Sequence, residues 1–150
     1  MKTVILDSGP LALVVHATDH DVVKQCRAWL VSALQAGDRV VVPAIVHYEL
    51  RRELVRLKLA ESLKLLDEFV DLEPDRYLPL THVAFLRASE LWAVQRNKGR
   101  ATAANHALDI DVILAAQVLT APWAAEPYIV ATTNVKHLDE LVPAALWTHI

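Results

Sequence analysis

The chain has 150 residues, 54% hydrophobic and 22% charged, which is enough for one packed domain over residues 1–150 and too apolar for disorder. With 15 basic against 18 acidic residues the net charge is −3, which excludes a broad cationic field and confines any nucleic-acid contact to a local patch. The 3 glycines, the lone Cys26 and apolar runs well short of ~20 residues argue against glycine-rich nucleotide cradles, disulfide or thiolate-zinc frameworks and a membrane span, and point to a cytoplasmic domain.

Residues 2–6 form a short β-branched run ending in Asp7, which reads as a buried strand and not as a signal peptide. Asp19 is placed as the N-cap of a first helix that buries Val22, Cys26, Trp29, Leu30 and Ala33 and stops at Gly37. Residues 39–42 predict a second strand. A helix over about 44–59 follows, with Val46, Leu50, Leu54 and Leu57 as its stripe, and Leu63, Leu66 and Val70 mark the next helix. Residues 76–80 are a further strand candidate. A long helix over about 82–97 stops near Gly99, a natural residue just past a helix end. Residues 112–121 are apolar nearly all round and predict a central helix. The strand 128–131 and a last candidate at 147–150 complete the chain. Strands alternating with helices, at spacings that parallel neighbours require, predict an α/β fold with helices on both faces of a mainly parallel sheet.

In such a sheet, ligands bind outside the carboxyl ends of the strands. Asp7 ends the first strand, and Asn134 follows the strand at 128–131. Asp109 and Asp111 open the central helix, and Glu49 lies just beyond the strand that ends at Pro43. Gathered carboxylates repel one another, and a hard cation such as Mg²⁺ or Mn²⁺ relieves the repulsion and activates water. The pattern therefore suggests an acidic metal site acting on a phosphodiester. Each residue also has a plainer role: Asp7 and Asn134 as turn residues, Glu49 as the partner of Arg52 or Arg56, and Asp109 or Asp111 as a helix cap. Ser8 lacks the surroundings of a nucleophile and reads as a turn residue or a support for the site. The 7 histidines form no zinc-protease spacing, and the 4 tryptophans read as core or interface anchors.

Four stretches occur in order: Ile5-Leu6-Asp7-Ser8-Gly9-Pro10-Leu11; Val42-Pro43 followed by Tyr48-Glu49-Leu50; Leu108 through Gln117, containing Asp111-x-x-Leu114-Ala115-Ala116; and Ala131-Thr132-Thr133-Asn134-Val135-Lys136-His137-Leu138. With these, essentially the whole chain resembles the PIN-domain nucleases, and in size it is similar to the VapC-type toxins of bacterial toxin–antitoxin pairs. The resemblance implies a three-layer α/β/α sandwich and a Mg²⁺-dependent endoribonuclease that leaves a 5′-phosphate and a 3′-hydroxyl. It implies Asp7 and Asp111 as principal metal ligands, with Glu49 as third acid; Asp109, two residues from Asp111, is the alternative that shares or replaces its role. Asn134 stands where many members carry a fourth aspartate, and offers a carbonyl oxygen but no charge. Ser8 and Thr132 are expected to support the acids.

The cations to watch for RNA are Arg51, Arg52, Arg56, Arg96, Lys98, Arg100 and Lys136, and residues 99–107 form an expected substrate-side loop. A small antitoxin is the implied partner. Phe85, Leu86, Leu91, Trp92 and Val94, with Leu57, Leu59, Leu63, Leu65 and Leu66, exceed what one core needs and predict a homodimer formed through helices. The alternatives are a PIN-type nuclease of RNA processing or DNA repair without an antitoxin, and a non-catalytic binding scaffold whose Asn134 marks a decayed site.

Overall fold

The computed structural model describes residues 1–99, 105–136 and 138–150. Five strands, β1 (Thr3–Leu6), β2 (Arg39–Pro43), β3 (Tyr77–Leu78), β4 (Tyr128–Thr132) and β5 (Ala144–Leu146), form one sheet in the order β3-β2-β1-β4-β5. Each neighbouring pair is parallel. Successive strand residues point to opposite faces, yet every residue of β1 is buried, so the sheet is covered on both sides. The cover is supplied by α1 (Ser8–Val14), α2 (Asp21–Gln35), α3 (Ala44–Arg56), α4 (Ala60–Asp71), α5 (His82–Asn97) and α6 (Asn105–Leu119). This is the α/β sandwich that the alternation of elements predicts. No described helix is long and apolar enough to cross a membrane.

β2 shows how the layers divide. Val40 and Val42 join the main core with Val4, Leu6, Leu11 and Leu114, whereas Val41 belongs to a smaller cluster with Leu78, Ala121 and Trp123. Pro43 is tolerated because it closes its strand, where a missing N–H costs least.

Several local expectations need correction. Ser8-Gly9-Pro10 does not make a turn but the first turn of α1, where a proline loses no helical hydrogen bond. Asp19 is not the cap of α2; His20 holds that position, and Asp19 pairs with Arg27 at 2.8 Å. Gly37 ends α2 as expected, at φ +84. The helix expected to run to residue 59 stops at Arg56. Lys58 takes φ 56, and the Leu59 and Lys58 amides fold back onto the Leu54 and Val55 carbonyls, a helix end normally given to glycine. The candidate at 147–150 is not a strand. β5 lies just before it, and Trp147–His149 is a 3₁₀ turn that buries the Trp147 indole beside Trp29, with ring centroids 5.8 Å apart. α6 begins at Asn105, seven residues earlier than periodicity gives; the remainder of the expected loop at 99–107, apart from Gly99, lies outside the described residues.

From β1 the chain steps outward through β2 to β3 and then returns on the other side of β1 as β4 and β5. β1 and β4 therefore flank a topological switch point, where the open ends of a parallel sheet leave a crevice. Asp7 and Thr132 stand at those two ends.

Candidate functional site

Asp7 is the hinge between β1 and α1. Its backbone is extended, and its Oδ1 accepts a hydrogen bond from the Ser8 amide at 2.8 Å, capping α1. Its Oδ2 accepts from the Thr132 hydroxyl at 2.7 Å, a bond that ties β1 to β4 across the switch point. A carboxylate has about four lone-pair sites, so both bonds leave capacity for another ligand. The close seat of α1 on β4 depends on Gly9: a Cβ there would lie 2.3 Å from the Thr133 hydroxyl oxygen.

Glu49 reaches the same edge from α3. That helix starts directly after β2, and its N-cap Pro43 has no side-chain acceptor for the free amides. Gln117, buried within α6, supplies the missing partner. Its Oε1 accepts from the Ile45 amide at 3.1 Å, while its Nε2 donates to the Leu78 carbonyl at 2.8 Å. One side chain thus fixes the start of α3 and the end of β3 to α6. Glu49 is half-buried, and its pKa is raised by burial and then by the Asp7 carboxylate. A hydrogen bond with the Ser8 side chain and the charge of Arg52 act in the opposite direction. Of the solvated pairings expected as an alternative, the Arg56 one is not formed, since Glu53 holds Arg56 at 2.7 Å, and Arg52 acts on Glu49 through its charge without a close ion pair.

Asp111 comes from α6. Burial, followed by repulsion from Asp7 and Glu49, pushes its pKa from 3.8 up to about 7. The three acids predicted from sequence therefore meet closely enough to repel one another. The cap reading of Asp109 and Asp111 fails, because both stand beyond the first turn of α6. Asp109 also fails as a substitute for Asp111. Two residues away on a helix is the opposite flank, and Asp109 lies exposed in a groove against α5, beside Phe85, Trp92 and Ile113.

Asn134 is brought near but faces elsewhere. Its amide donates to the Thr132 hydroxyl oxygen at 3.1 Å, and its own Oδ1 accepts from the Lys136 amide at 3.1 Å, as in an Asx-turn. Thr132 is fully buried and links this turn to Asp7. Among the expected RNA cations, Arg51 pairs with Asp67 and Arg56 with Glu53, Arg96 lies over the Trp92 ring, and Lys98 and Lys136 are exposed. Arg52 lies over the Tyr48 ring. Arg100 falls outside the described residues. Cys26 is buried, its thiol pushed up to about 11 by burial, and is chemically inert. Sequence reasoning missed Gln117 and Gly9. Gln117 carried a signal, because one amide inside an otherwise apolar run must find buried partners.

The donor set suits a hard divalent cation, since it is made of carboxylates without thiol or imidazole. Among the described residues, no three His, Cys, Asp or Glu side chains stand close enough together to hold a metal ion between them, so the three acids share an edge without forming a finished ion site. A separate cavity of about 440 Å³, lined by Arg39, Leu78, Ala121 and Trp123 among others, holds none of the three acids.

No family model and no curated protein matches the chain. Solved structures do. A chain of VapBC2 from Rickettsia felis, bound to a DNA fragment from their promoter, superposes with a TM-score of 0.67 at 16% identity, over 97% of this chain and 98% of that one. A chain of FitAcB from Neisseria gonorrhoeae gives 0.67 at 20% identity, over 98% and 99%. A chain of VapBC-1 from nontypeable Haemophilus influenzae gives 0.64 at 18%, over 97% and 98%. At these identities the likeness is one of fold, and the chain has the α/β fold of chains in these VapBC and FitAcB structures.

Proposed function

We propose that the chain is a Mg²⁺-dependent endoribonuclease, with Mn²⁺ as an alternative ion, and that it is the toxin of a toxin–antitoxin pair. What supports the reading is that Asp7, Glu49 and Asp111, from three separate elements at the switch point of a parallel sheet, lie within electrostatic range, so that Asp7 raises the pKa of both Glu49 and Asp111. A metal bound there would polarise the phosphodiester and supply an activated water. The chain's own contribution is positioning. Thr132 and the Ser8 amide hold the two oxygens of Asp7, and Ser8 steadies Glu49. Gln117 fixes the helix that carries Glu49. Without a cation, Asp111 holds a proton up to about pH 7, so ion binding and proton release are coupled at its carboxyl.

The toxin half of the proposal draws on the resemblance and on the VapBC names of the fold neighbours. A small antitoxin is the proposed partner. Self-association into a homodimer is proposed from the apolar side chains that α5 leaves exposed, including Phe85, Leu86, Trp92 and Val94. Purified protein should cleave single-stranded RNA with Mg²⁺, lose the activity in EDTA, and lose it in Asp7→Asn while remaining folded. Equal cleavage by wild type and variant, unaffected by EDTA, would refute the metal mechanism.

A further inference from the structure

Beside Glu49, α3 carries an aromatic ring and a cation that are not among the acids of the site. Tyr48 is 56% exposed, although a ring of this size gains by burial. Arg52, one turn later, holds its guanidinium carbon 5.3 Å from the centre of the Tyr48 ring, within cation–π range. On a helix, Arg52 is the i+4 neighbour of Tyr48 and the i+3 neighbour of Glu49, so it adjoins both. Its charge acts on Glu49 directly. The flanking arginines are engaged, Arg51 with Asp67 and Arg56 with Glu53, whereas among the described residues Arg52 forms no salt bridge. A chain of net charge −3 with an acidic edge repels a polyanion. A strand approaching that edge therefore needs a cation and an adhesive surface next to it.

We propose that Tyr48 and Arg52 form a single-stranded RNA subsite beside the acidic edge, with the Tyr48 ring stacking on a base next to the scissile phosphate and Arg52 holding a backbone phosphate. Stacking on one aromatic ring needs a base freed from its own stack, so the subsite selects single strands over duplexes. The choice of RNA as ligand rests on the ribonuclease reading.

The test uses the full chain carrying Asp7→Asn, so that RNA is bound and not cut, and a short single-stranded RNA with 2-aminopurine as the fluorescent base. The parent should quench the 2-aminopurine and bind the single strand more tightly than the matching duplex. Adding Tyr48→Ala should abolish quenching and weaken binding by about 10-fold, and Tyr48→Phe should restore both. Arg52→Gln should weaken binding and lower the salt slope by about one counterion. Equal affinity for Tyr48→Ala and its parent, or no quenching by the parent, would overturn the subsite. So would loss of a protein complex in Tyr48→Ala with RNA binding unchanged. The ribonuclease reading is judged separately, by Mg²⁺-dependent cleavage with the native acids. Cleavage whose KM is unmoved by Tyr48→Ala keeps the nuclease and removes the subsite, whereas stacking without cleavage does the reverse.

Discussion

Asp109 and Asp111 are the same residue type, two positions apart on one helix, and they live in different environments. Asp111 turns toward Asp7 and Glu49, where burial and like charge lift its pKa to about 7. Asp109 turns outward into an apolar groove of about 370 Å³ between α5 and α6, lined by Phe85, Ala88, Trp92 and Val112 among others. The inward flank is partly buried and acidic, and the outward flank is open and apolar. α5 heightens the contrast: it buries Ala84, Ala88 and Gln95 and leaves Phe85, Leu86 and Trp92 exposed. On the proposed function, chemistry and partner contact fall on opposite sides of α6, and a side chain's role follows from its flank more than from its type.

The sharpest way to break this contrast is to neutralise each aspartate in turn. Asp111→Asn, like Asp7→Asn, should lower RNA cleavage by about 100-fold or more, because a ligand to the activating cation is lost. Asp109→Asn should change it by less than about twofold, as measured by initial rates on one RNA at saturating Mg²⁺. Comparable losses at 109 and 111 would erase the distinction.

Gln117→Leu probes how the inward flank is held in place. It orphans the buried Ile45 amide and Leu78 carbonyl and should destabilise the fold by about 2–4 kcal/mol in urea unfolding. It should also raise the Mg²⁺ concentration needed for activity, since Glu49 loses its fixed position.

The two flanks also differ in their response to pH. A carboxyl whose pKa is higher in the fold, about 7 against 3.8, supports folding while protonated. That contribution is fully present below about pH 4 and is lost as pH rises through about 7, because the folded state binds the extra proton. In EDTA, wild type should therefore lose about 2–4 kcal/mol of stability between pH 4 and 8 relative to Asp111→Asn. Excess Mg²⁺ should restore it, and Asp109→Asn should follow wild type. A smaller effect is expected from Thr132→Val, which keeps the shape but leaves Asp7 Oδ2 without its hydroxyl donor. The Asn134 amide also loses its acceptor, so activity should fall by about 10-fold and stability by about 1–2 kcal/mol, less than for Gln117→Leu.

Much of this architecture was legible in the residues. Strands buried on both faces must be continuously apolar and β-branched, which is why residues 3–6, 40–42 and 128–131 announce themselves and the parallel sheet follows. Asp7 was legible because an acid directly after such a strand has to emerge at its carboxyl end. α1 was hidden, since Ser8-Gly9-Pro10 has turn composition and only the cap by Asp7 converts it into a helix start. The break at Lys58 was hidden because its left-handed residue is not glycine. Asp109 and Asp111 could not be told apart while the start of α6 was misplaced, since a shift of seven residues changes a cap into a second-turn position. Gln117 was visible as an anomaly, but its two partners, on α3 and β3, are contacts that only the folded chain creates.

The central claim is that Asp7, Glu49 and Asp111 share one divalent cation on the inward flank of α6. Crystals soaked in Mn²⁺ and measured at the manganese absorption edge test this directly. The expected result is an anomalous peak between the Asp7 and Asp111 carboxylates, about 2.0–2.3 Å from their oxygens, that disappears in Asp111→Asn and persists in Asp109→Asn. A peak elsewhere, none at this edge under saturating Mn²⁺, or one that survives Asp111→Asn would contradict the account.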